Sequence, residues 1–168
     1  MNTVIREESP SDVGAIHAVT VAAFLNAPHT AHTEQFIVDA LRKAGALFVS
    51  LVAEQASSVV GHVAVSPVTV SDGSSGWYGL GPISFIPELH GQGIGRHLMK
   101  EALQRLREAG AAGCVLVGDP AYYSRFGFKS GSDIVLPNVP PEYFQILAFG
   151  PSLPHGIVTF HESFSAQG

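Results

Sequence analysis

Residues 86–98 carry the stretch that decides the fold, Ile86-Pro87-Glu88-Leu89-His90-Gly91-Gln92-Gly93-Ile94-Gly95-Arg96-His97-Leu98. An apolar run at 77–86 leads into the three alternate glycines, and an amphipathic helix over about 93–109 follows them. Glycine lets a backbone approach a ligand closely, and the first N–H groups of a helix lie unpaired at the positive end of its dipole. The order strand, glycine turn, helix therefore predicts an anion site made of main-chain N–H groups. The alternative is a tight corner that binds nothing.

Two common phosphate-binding motifs do not fit this turn. A P-loop ends in Gly-Lys-Ser/Thr, whereas Gly95 is followed by Arg96 and His97. A dinucleotide-binding turn reads Gly-x-Gly-x-x-Gly, and counting from Gly91 places Arg96 where the third glycine is needed. The turn is therefore of another kind.

Composition limits the partners of the chain. Its 168 residues are 46% hydrophobic and 14% charged, which is typical of a globular protein and leads us to expect one domain over 1–168. The formal charge of -5 argues against a nucleic-acid binder, which needs a basic face. No stretch approaches eighteen uninterrupted apolar residues and no signal-peptide pattern is present, so we expect a cytoplasmic protein that does not act at a membrane.

Metal binding and disulfide chemistry are not expected. The single cysteine, Cys114, lies in an apolar run and is predicted to be a buried, inert thiol. His29 and His32 have the spacing of a metal pair but lack further ligands nearby, so no metal site is predicted.

The order of elements predicts an α/β fold with a mixed antiparallel and parallel central sheet and helices on both faces. Predicted strands cover 3–7, 47–53, 59–70, 77–86, 113–117 and the surroundings of Phe128, with helices after Ser9, over 34–43 and 93–109, and from Pro120. Residues 137–168 are Pro-rich and are predicted to be irregular, with one last strand at 156–160.

The segment from Pro87 to Leu98 resembles the acetyl-CoA signature of the GNAT N-acetyltransferases, usually met as Pro-x-x-Gln-Gly-x-Gly-Ile-Gly-x-x-Leu. It departs from that signature at His90, where the family has Gln or Arg. The run Ala121-Tyr122-Tyr123-Ser124-Arg125-Phe126-Gly127-Phe128 is similar to the family's aromatic-Tyr-x-x-x-Gly-Phe segment. The resemblance covers about 3–130 in layout. It implies a GNAT-like fold and direct transfer of an acetyl group from acetyl-CoA to a primary amine of a small molecule or peptide, and it allows a homodimer.

The resemblance also implies roles for particular residues. The pantetheine arm of the cofactor would lie along the main chain of Ile83, Ser84 and Phe85. The pyrophosphate would be held by the turn, in which His90 offers a side-chain contact and the remaining residues offer N–H groups, namely Gly91, Gln92, Gly93, Ile94, Gly95 and Arg96. Tyr123 would protonate the departing thiolate, which is uphill by roughly 2 kcal/mol for an ordinary phenol and thiol. Tyr122 is expected to serve chiefly as packing.

The base that deprotonates the amine is not evident from the sequence. No Asp or Glu stands between Gly76 and Pro87, and the usual strand positions give Ser66 and Ser84. Glu34 and His32 come from a helix–loop region that could reach the substrate. Two alternatives to an acetyltransferase stay open: a CoA-binding regulatory module that has lost transfer, and an α/β binding domain whose turn is purely structural.

Overall fold

The computed structural model describes residues 2–27 and 30–168. The strands are β1 Val4–Glu7, β2 Val49–Gln55, β3 Ser58–Pro67, β4 Thr69–Val70, β5 Trp77–Phe85, β6 Gly113–Val117, β7 Ile134–Val135, β8 Phe144–Ala148 and β9 Gly156–Thr159. The helices are α1 Val13–Phe24, α2 Glu34–Lys43, α3 Ile94–Glu108 and the short α4 Pro120–Tyr123. No helix in the described ranges is long and apolar enough to cross a membrane.

The main sheet has the order β1-β2-β3-β5-β6-β8. Its pairs are antiparallel except β5 and β6, which run parallel. Helix α3 packs on one face, where its apolar stripe meets residues such as Leu51 and Val63. Helices α1 and α2 cover the other face, where Ile16 and Val38 pack on Val52. The predicted mixed sheet with helices on both faces is confirmed.

The parallel strands β5 and β6 separate part of the way along their length. They pair at Trp77↔Gly113, Tyr78↔Cys114 and Gly79↔Val115, and their pairing ends there. Strand β5 continues to Phe85 in pairing with β3 alone, with a register shift between Val63 and Val65 of β3. The sheet is therefore open between the C-terminal halves of β5 and β6, next to the start of α3.

The C-terminal part contains more regular structure than its composition predicts. The expected strand at 156–160 is present as β9, which lies between β4 and β7 in a second, three-stranded sheet. The chain at 137–168 also supplies β8, which was not predicted, and β8 pairs with β6 at the edge of the main sheet. The strand expected around Phe128 is reduced to a single bridge, Lys129↔Ile146. Both differences have one cause, because short apolar segments become strands only where a distant partner strand is available.

The other two features predicted from the sequence are the single cysteine and the histidine pair. Cys114 is buried and free, and burial raises the pKa of its thiol to about 12, so it stays protonated at neutral pH. The histidine pair includes His29, which lies outside the described residues.

Candidate active site

The glycine turn adopts the geometry that its sequence predicts. Gly91 has φ 87° and Gly93 has φ 79°, a region in which residues with a Cβ are strained. Gly93 is the residue before α3, and its carbonyl accepts a hydrogen bond from the N–H of His97 at 3.0 Å. The turn therefore directs the chain from the end of β5 straight into the first turn of α3.

Main-chain N–H groups of the turn remain free to bind a ligand. Within the described ranges, no acceptor is met by the N–H groups of Gly91, Gly93, Ile94, Gly95 and Arg96. The N–H of Gln92, which was predicted to serve the ligand as well, donates instead to the carbonyl of Leu89 at 3.2 Å. The donors that remain lie at the positive end of the α3 dipole, where an anion is stabilised.

These donors border a cavity of about 290 Å³, which we call the turn pocket. Its lining residues are Phe85, Leu89, His90, Gly91, Gly93, Ile94, Gly95, Arg96, Tyr122 and Arg125. In the part of the chain that the structure describes, this lining contains two arginines and no carboxylate. An acidic chain thus has a locally positive pocket, as an anion site requires.

Tyr122 and Arg125 belong to this pocket although neither was predicted to do so. The Arg125 guanidinium lies 4.6 Å from the centroid of the Tyr122 ring, a cation–π distance. A Cβ at Gly95 would lie 3.5 Å from the Tyr122 hydroxyl, which places that hydroxyl at the start of α3. Burial raises the pKa of Tyr122. Tyr122 therefore lines the turn pocket in addition to packing against Tyr123 and Phe126.

His90 occupies the position at which the sequence departs from the signature. Its ring lies nearly parallel to that of Phe85, with centroids 6.4 Å apart and an angle of 19° between the planes. It lines the turn pocket and also a second cavity. Its imidazole can donate a hydrogen bond at this junction.

The second cavity, which we call the strand cavity, has a volume of about 360 Å³ and follows the end of β5. It is lined by Ala23, Phe24, Ile83, Ser84, Phe85, Pro87 and His90. The Ser84 side chain is buried, with its hydroxyl 3.5 Å from Thr20 Oγ1 of α1. Contacts from Ser84 to a ligand would therefore come from its main chain.

A third cavity of about 530 Å³ lies where β5 and β6 diverge, and we call it the apolar cavity. Its lining residues are Phe24, Glu34, Ile37, Leu80, Gly81, Pro82, Ile83, Val117, Tyr123, Leu136, Pro137, Asn138, Val139, Phe160 and Phe164. It shares Phe24 and Ile83 with the strand cavity, which in turn shares Phe85 and His90 with the turn pocket. Neighbouring cavities therefore share lining residues from the glycine turn to Tyr123, and we call this row of three cavities the path.

Tyr123 is held at the end of that path by the short helix α4. The Asp119 carboxylate caps this helix by accepting a hydrogen bond from Ala121 N at 2.9 Å, in agreement with the sequence, where Asp119 precedes Pro120. The ring packs edge-on against Tyr122 at 4.9 Å and Phe128 at 6.2 Å. Burial raises the pKa of Tyr123 to about 12. The phenol is therefore protonated at neutral pH and can act as a proton donor.

The strands beside the path carry no carboxylate. Neither β3 nor β5 contains Asp or Glu, and Ser66 on β3 is buried. Of the two helix–loop candidates, Glu34 lines the apolar cavity, while His32 is exposed and is not part of that lining.

An open mixed sheet, a glycine turn at a helix N-terminus and a tyrosine beside the gap are the features that the resemblance to the GNAT N-acetyltransferases implied. The model of the Acetyltransferase (GNAT) family matches residues 7–128. The chain belongs to the GNAT acetyltransferase family.

Three comparisons describe its relatives. The uncharacterized N-acetyltransferase YhbS of Escherichia coli (strain K12) is 39% identical over 127 residues, which cover 75% of this chain and 73% of YhbS. A GNAT family acetyltransferase from Brucella melitensis, solved in complex with acetyl-CoA, is 49% identical with a TM-score of 0.88 and covers 98% of this chain and 99% of its own. The structure of Escherichia coli YhbS in complex with CoA has a TM-score of 0.90 at 34% identity and covers 100% of this chain and 94% of its own.

Proposed function

We propose that this protein transfers an acetyl group directly from acetyl-CoA to a primary amine of a small molecule or peptide. The observation that carries the proposal is the row of adjoining cavities: at one end are N–H groups that have no acceptor among the described residues, and at the other end is Tyr123. The complexes of the Brucella melitensis and Escherichia coli relatives with acetyl-CoA and CoA support the choice of cofactor.

In this proposal the cofactor follows the path in the order of its chemical groups. The pyrophosphate lies in the turn pocket against the N–H groups of Gly91 and 93–96, with Arg96 and Arg125 as its cationic side chains. His90 marks the passage to the strand cavity, where the main chain of 83–85 runs beside the pantetheine arm. The thioester then reaches the apolar cavity, where most of the side chains around the acetyl group would be aromatic or aliphatic.

Tyr123 is the proposed acid. As the amine nitrogen bonds to the thioester carbon and the C–S bond breaks, the phenol would donate its proton to the sulfur. Against a reference thiol pKa of about 8.5, a phenol pKa of about 12 makes this transfer uphill by about 5 kcal/mol. The same apolar surroundings also destabilise the thiolate, which reduces the difference. A positioned acid of this kind typically contributes 10²–10⁴-fold.

The proposal is tested by cofactor binding and by turnover. Acetyl-CoA at a hundredfold excess over its Kd should stabilise the fold by about 2.7 kcal/mol, or roughly 5–10 °C in Tm for a chain of this size. A panel of amines and peptides, scored by release of free CoA thiol, should contain at least one substrate. The absence of any Tm shift at millimolar acetyl-CoA would rule the proposal out.

One observation favours a second function, a CoA-binding regulatory module. The strands β3 and β5 lack a carboxylate that could deprotonate the amine. Such a module would show the acetyl-CoA-dependent Tm shift without thiol release from any member of the panel.

A further inference from the structure

We propose that Glu34 is the group that binds the substrate amine as its ammonium and takes its proton, and that the substrates are compact primary amines with an apolar body. This inference rests on the proposed acetyl transfer and supplies the base that β3 and β5 lack. Glu34 is the first residue of α2 and lies in the lining of the apolar cavity together with Tyr123.

Only one of the two oxygens of the Glu34 carboxylate has a hydrogen-bond donor among the described residues. Its Oε2 accepts a hydrogen bond from the Thr30 hydroxyl, which fixes the side chain. Its Oε1 is buried and has no hydrogen-bond partner among the residues that the structure describes. A buried carboxylate oxygen without a donor is costly, and a ligand N–H group beside it removes that cost.

The charges near Glu34 leave it available to a ligand. Among the described residues, the lining of the apolar cavity contains no Lys, Arg or His, and its other titratable group is Tyr123, whose phenol is uncharged at neutral pH. Further along α2, the Arg42 guanidinium is bound to the Glu8 carboxylate at 2.8 Å. Asp39 on the same helix pairs with His17 of α1 at 3.0 Å. Among the described lining residues, Glu34 is therefore the one carboxyl group that an ammonium group in the cavity would meet.

The other residues that line the cavity determine which chemical group can be attached to the amine nitrogen of the substrate. Most of its side chains are aromatic or aliphatic, namely Phe24, Ile37, Leu80, Ile83, Val117, Leu136, Val139, Phe160 and Phe164. A volume of about 530 Å³ is within the range of pockets that enclose small molecules. An aryl or alkyl body fits such walls, whereas a polyamine or a sugar would bury further polar groups without partners. One charged nitrogen on an apolar body is the chemistry that the cavity recognises.

The proton balance of the reaction follows from these positions. Glu34 accepts one proton from R–NH₃⁺, and the lone pair of the resulting R–NH₂ attacks the thioester carbonyl carbon. The C–S bond then breaks and Tyr123 protonates the sulfur. The second proton leaves the nitrogen and restores the phenol. The products are the N-acetyl amine and CoA thiol, and the proton on Glu34 passes to solvent.

The test compares substrates and variants at the same site. The substrates are 2-phenylethylamine, spermidine and the peptide Gly-Lys-Gly, measured as kcat/KM from pH 6.5 to 9.5. The variants are Glu34→Gln, which keeps the shape but not the charge, Glu34→Asp, which withdraws the carboxylate, and Glu108→Gln as a control at the far end of α3. Calorimetric titration of 2-phenylethylamine into the protein saturated with CoA measures binding without turnover.

We expect 2-phenylethylamine to exceed the other two substrates at least tenfold in kcat/KM. Glu34→Gln should lower its kcat/KM about 10²-fold at pH 7.5, with unchanged acetyl-CoA affinity, because a base of this kind contributes 10²–10⁴-fold. The deficit should shrink about tenfold per pH unit as free amine replaces the ammonium, a signature that a purely structural role would not give. Glu34→Asp should be intermediate, and Glu108→Gln should match the parent.

Failure of the inference differs from failure of the proposed function. If acetyl-CoA does not shift the Tm of the parental protein, the proposed acetyl transfer is refuted. The inference alone is overturned if spermidine or the peptide is the better substrate, or if Glu34→Gln keeps the parental kcat/KM and pH profile. If no amine is turned over, the titration decides: binding that Glu34→Gln weakens tenfold or more supports the ammonium site, and absence of binding to the parent refutes it.

Discussion

The turn pocket and the apolar cavity lie at the two ends of the path, but they are formed by different kinds of chemical groups. The turn pocket takes most of its lining from one continuous segment, 85–96, and its unpaired donors are main-chain N–H groups. The apolar cavity takes its lining from segments between Phe24 and Phe164, and most of its lining residues have aromatic or aliphatic side chains. In the proposed function, the turn pocket would therefore bind the cofactor through main-chain groups, and the apolar cavity would select the amine through its side chains.

This difference has a physical basis. Main-chain donors at a helix N-terminus are present whatever the side chains are, provided that glycines allow the ligand to come close. A cavity formed by side chains from several elements changes its shape and charge with each substitution. Changes in the turn pocket should therefore act on acetyl-CoA binding, and changes in the apolar cavity should act on transfer.

The largest effect is expected from Tyr123→Phe in the apolar cavity. The substitution removes one hydroxyl and keeps the ring, so turnover should fall 10²–10⁴-fold with little change in acetyl-CoA affinity. Since the folded-state pKa is raised to about 12, the parental phenol stays protonated from pH 6 to 9, and the loss should be present throughout that range. Steady-state rates on the best amine would check this, with Tyr122→Phe as the milder comparison. Near-parental turnover at every pH would show that water or the thiolate itself suffices.

The next effect is expected from Gly93→Val in the turn pocket. A side chain at φ 79° is strained, and a Cβ at Gly93 would stand in open space, with no atom within 4 Å. In the proposed function the pyrophosphate uses that space, so the Kd for acetyl-CoA should rise about 10–100-fold through loss of one or two charge-assisted hydrogen bonds. Gly110→Val is the matched control, because Gly110 has φ 78° just beyond the other end of α3.

Both glycine variants should lose about 1–2 kcal/mol of folding stability from the left-handed conformation. Only Gly93→Val should lose cofactor affinity, as measured by calorimetry and by Tm. If Gly93→Val binds acetyl-CoA with the parental affinity, the glycines only allow the tight turn between β5 and α3 and do not form a binding site.

The smallest effect is expected from Arg125→Gln. The guanidinium is exposed and lies over the Tyr122 ring, so its loss should raise the Kd for acetyl-CoA about three- to tenfold and reduce the salt dependence of binding. Arg107→Gln is a matched control, because Arg107 lies 4.8 Å over the Phe149 ring and outside the path. If the two substitutions change the Kd for acetyl-CoA equally, Arg125 does not contribute to the cofactor site.

Local patterns predicted the parts of the fold whose partners are close in sequence. Helix α3 was expected over 93–109 and is found at Ile94–Glu108, because its apolar stripe has the period of a helix and glycines stand at both ends. Strand β8 was missed, because Phe144–Ala148 has no pattern that separates it from loop until it pairs with β6. The same reason explains why the strand expected around Phe128 is only a bridge.

The candidate site divides in the same way. The turn, His90 and Tyr123 could be named from the sequence, because each belongs to a short contiguous motif. Tyr122 and Arg125 lie inside the second motif, but which of two adjacent tyrosines faces which cavity depends on how α4 is oriented on the sheet. Glu34 was one candidate among others, and only its place in the apolar cavity distinguishes it from His32.

The sequence by itself determined the strand–turn–helix unit, the acidic charge balance and the two motifs of the GNAT family, because these depend on residues that are neighbours along the chain. Only the tertiary structure decided that β5 and β6 separate after Gly79↔Val115, and that residues from Phe24 to Phe164 enclose one cavity there. It also decided that the buried Oε1 of Glu34 is left without a partner among the described residues. The physical reason is that local backbone chemistry sets donors and turns, whereas enclosure and burial depend on which distant segments pack together.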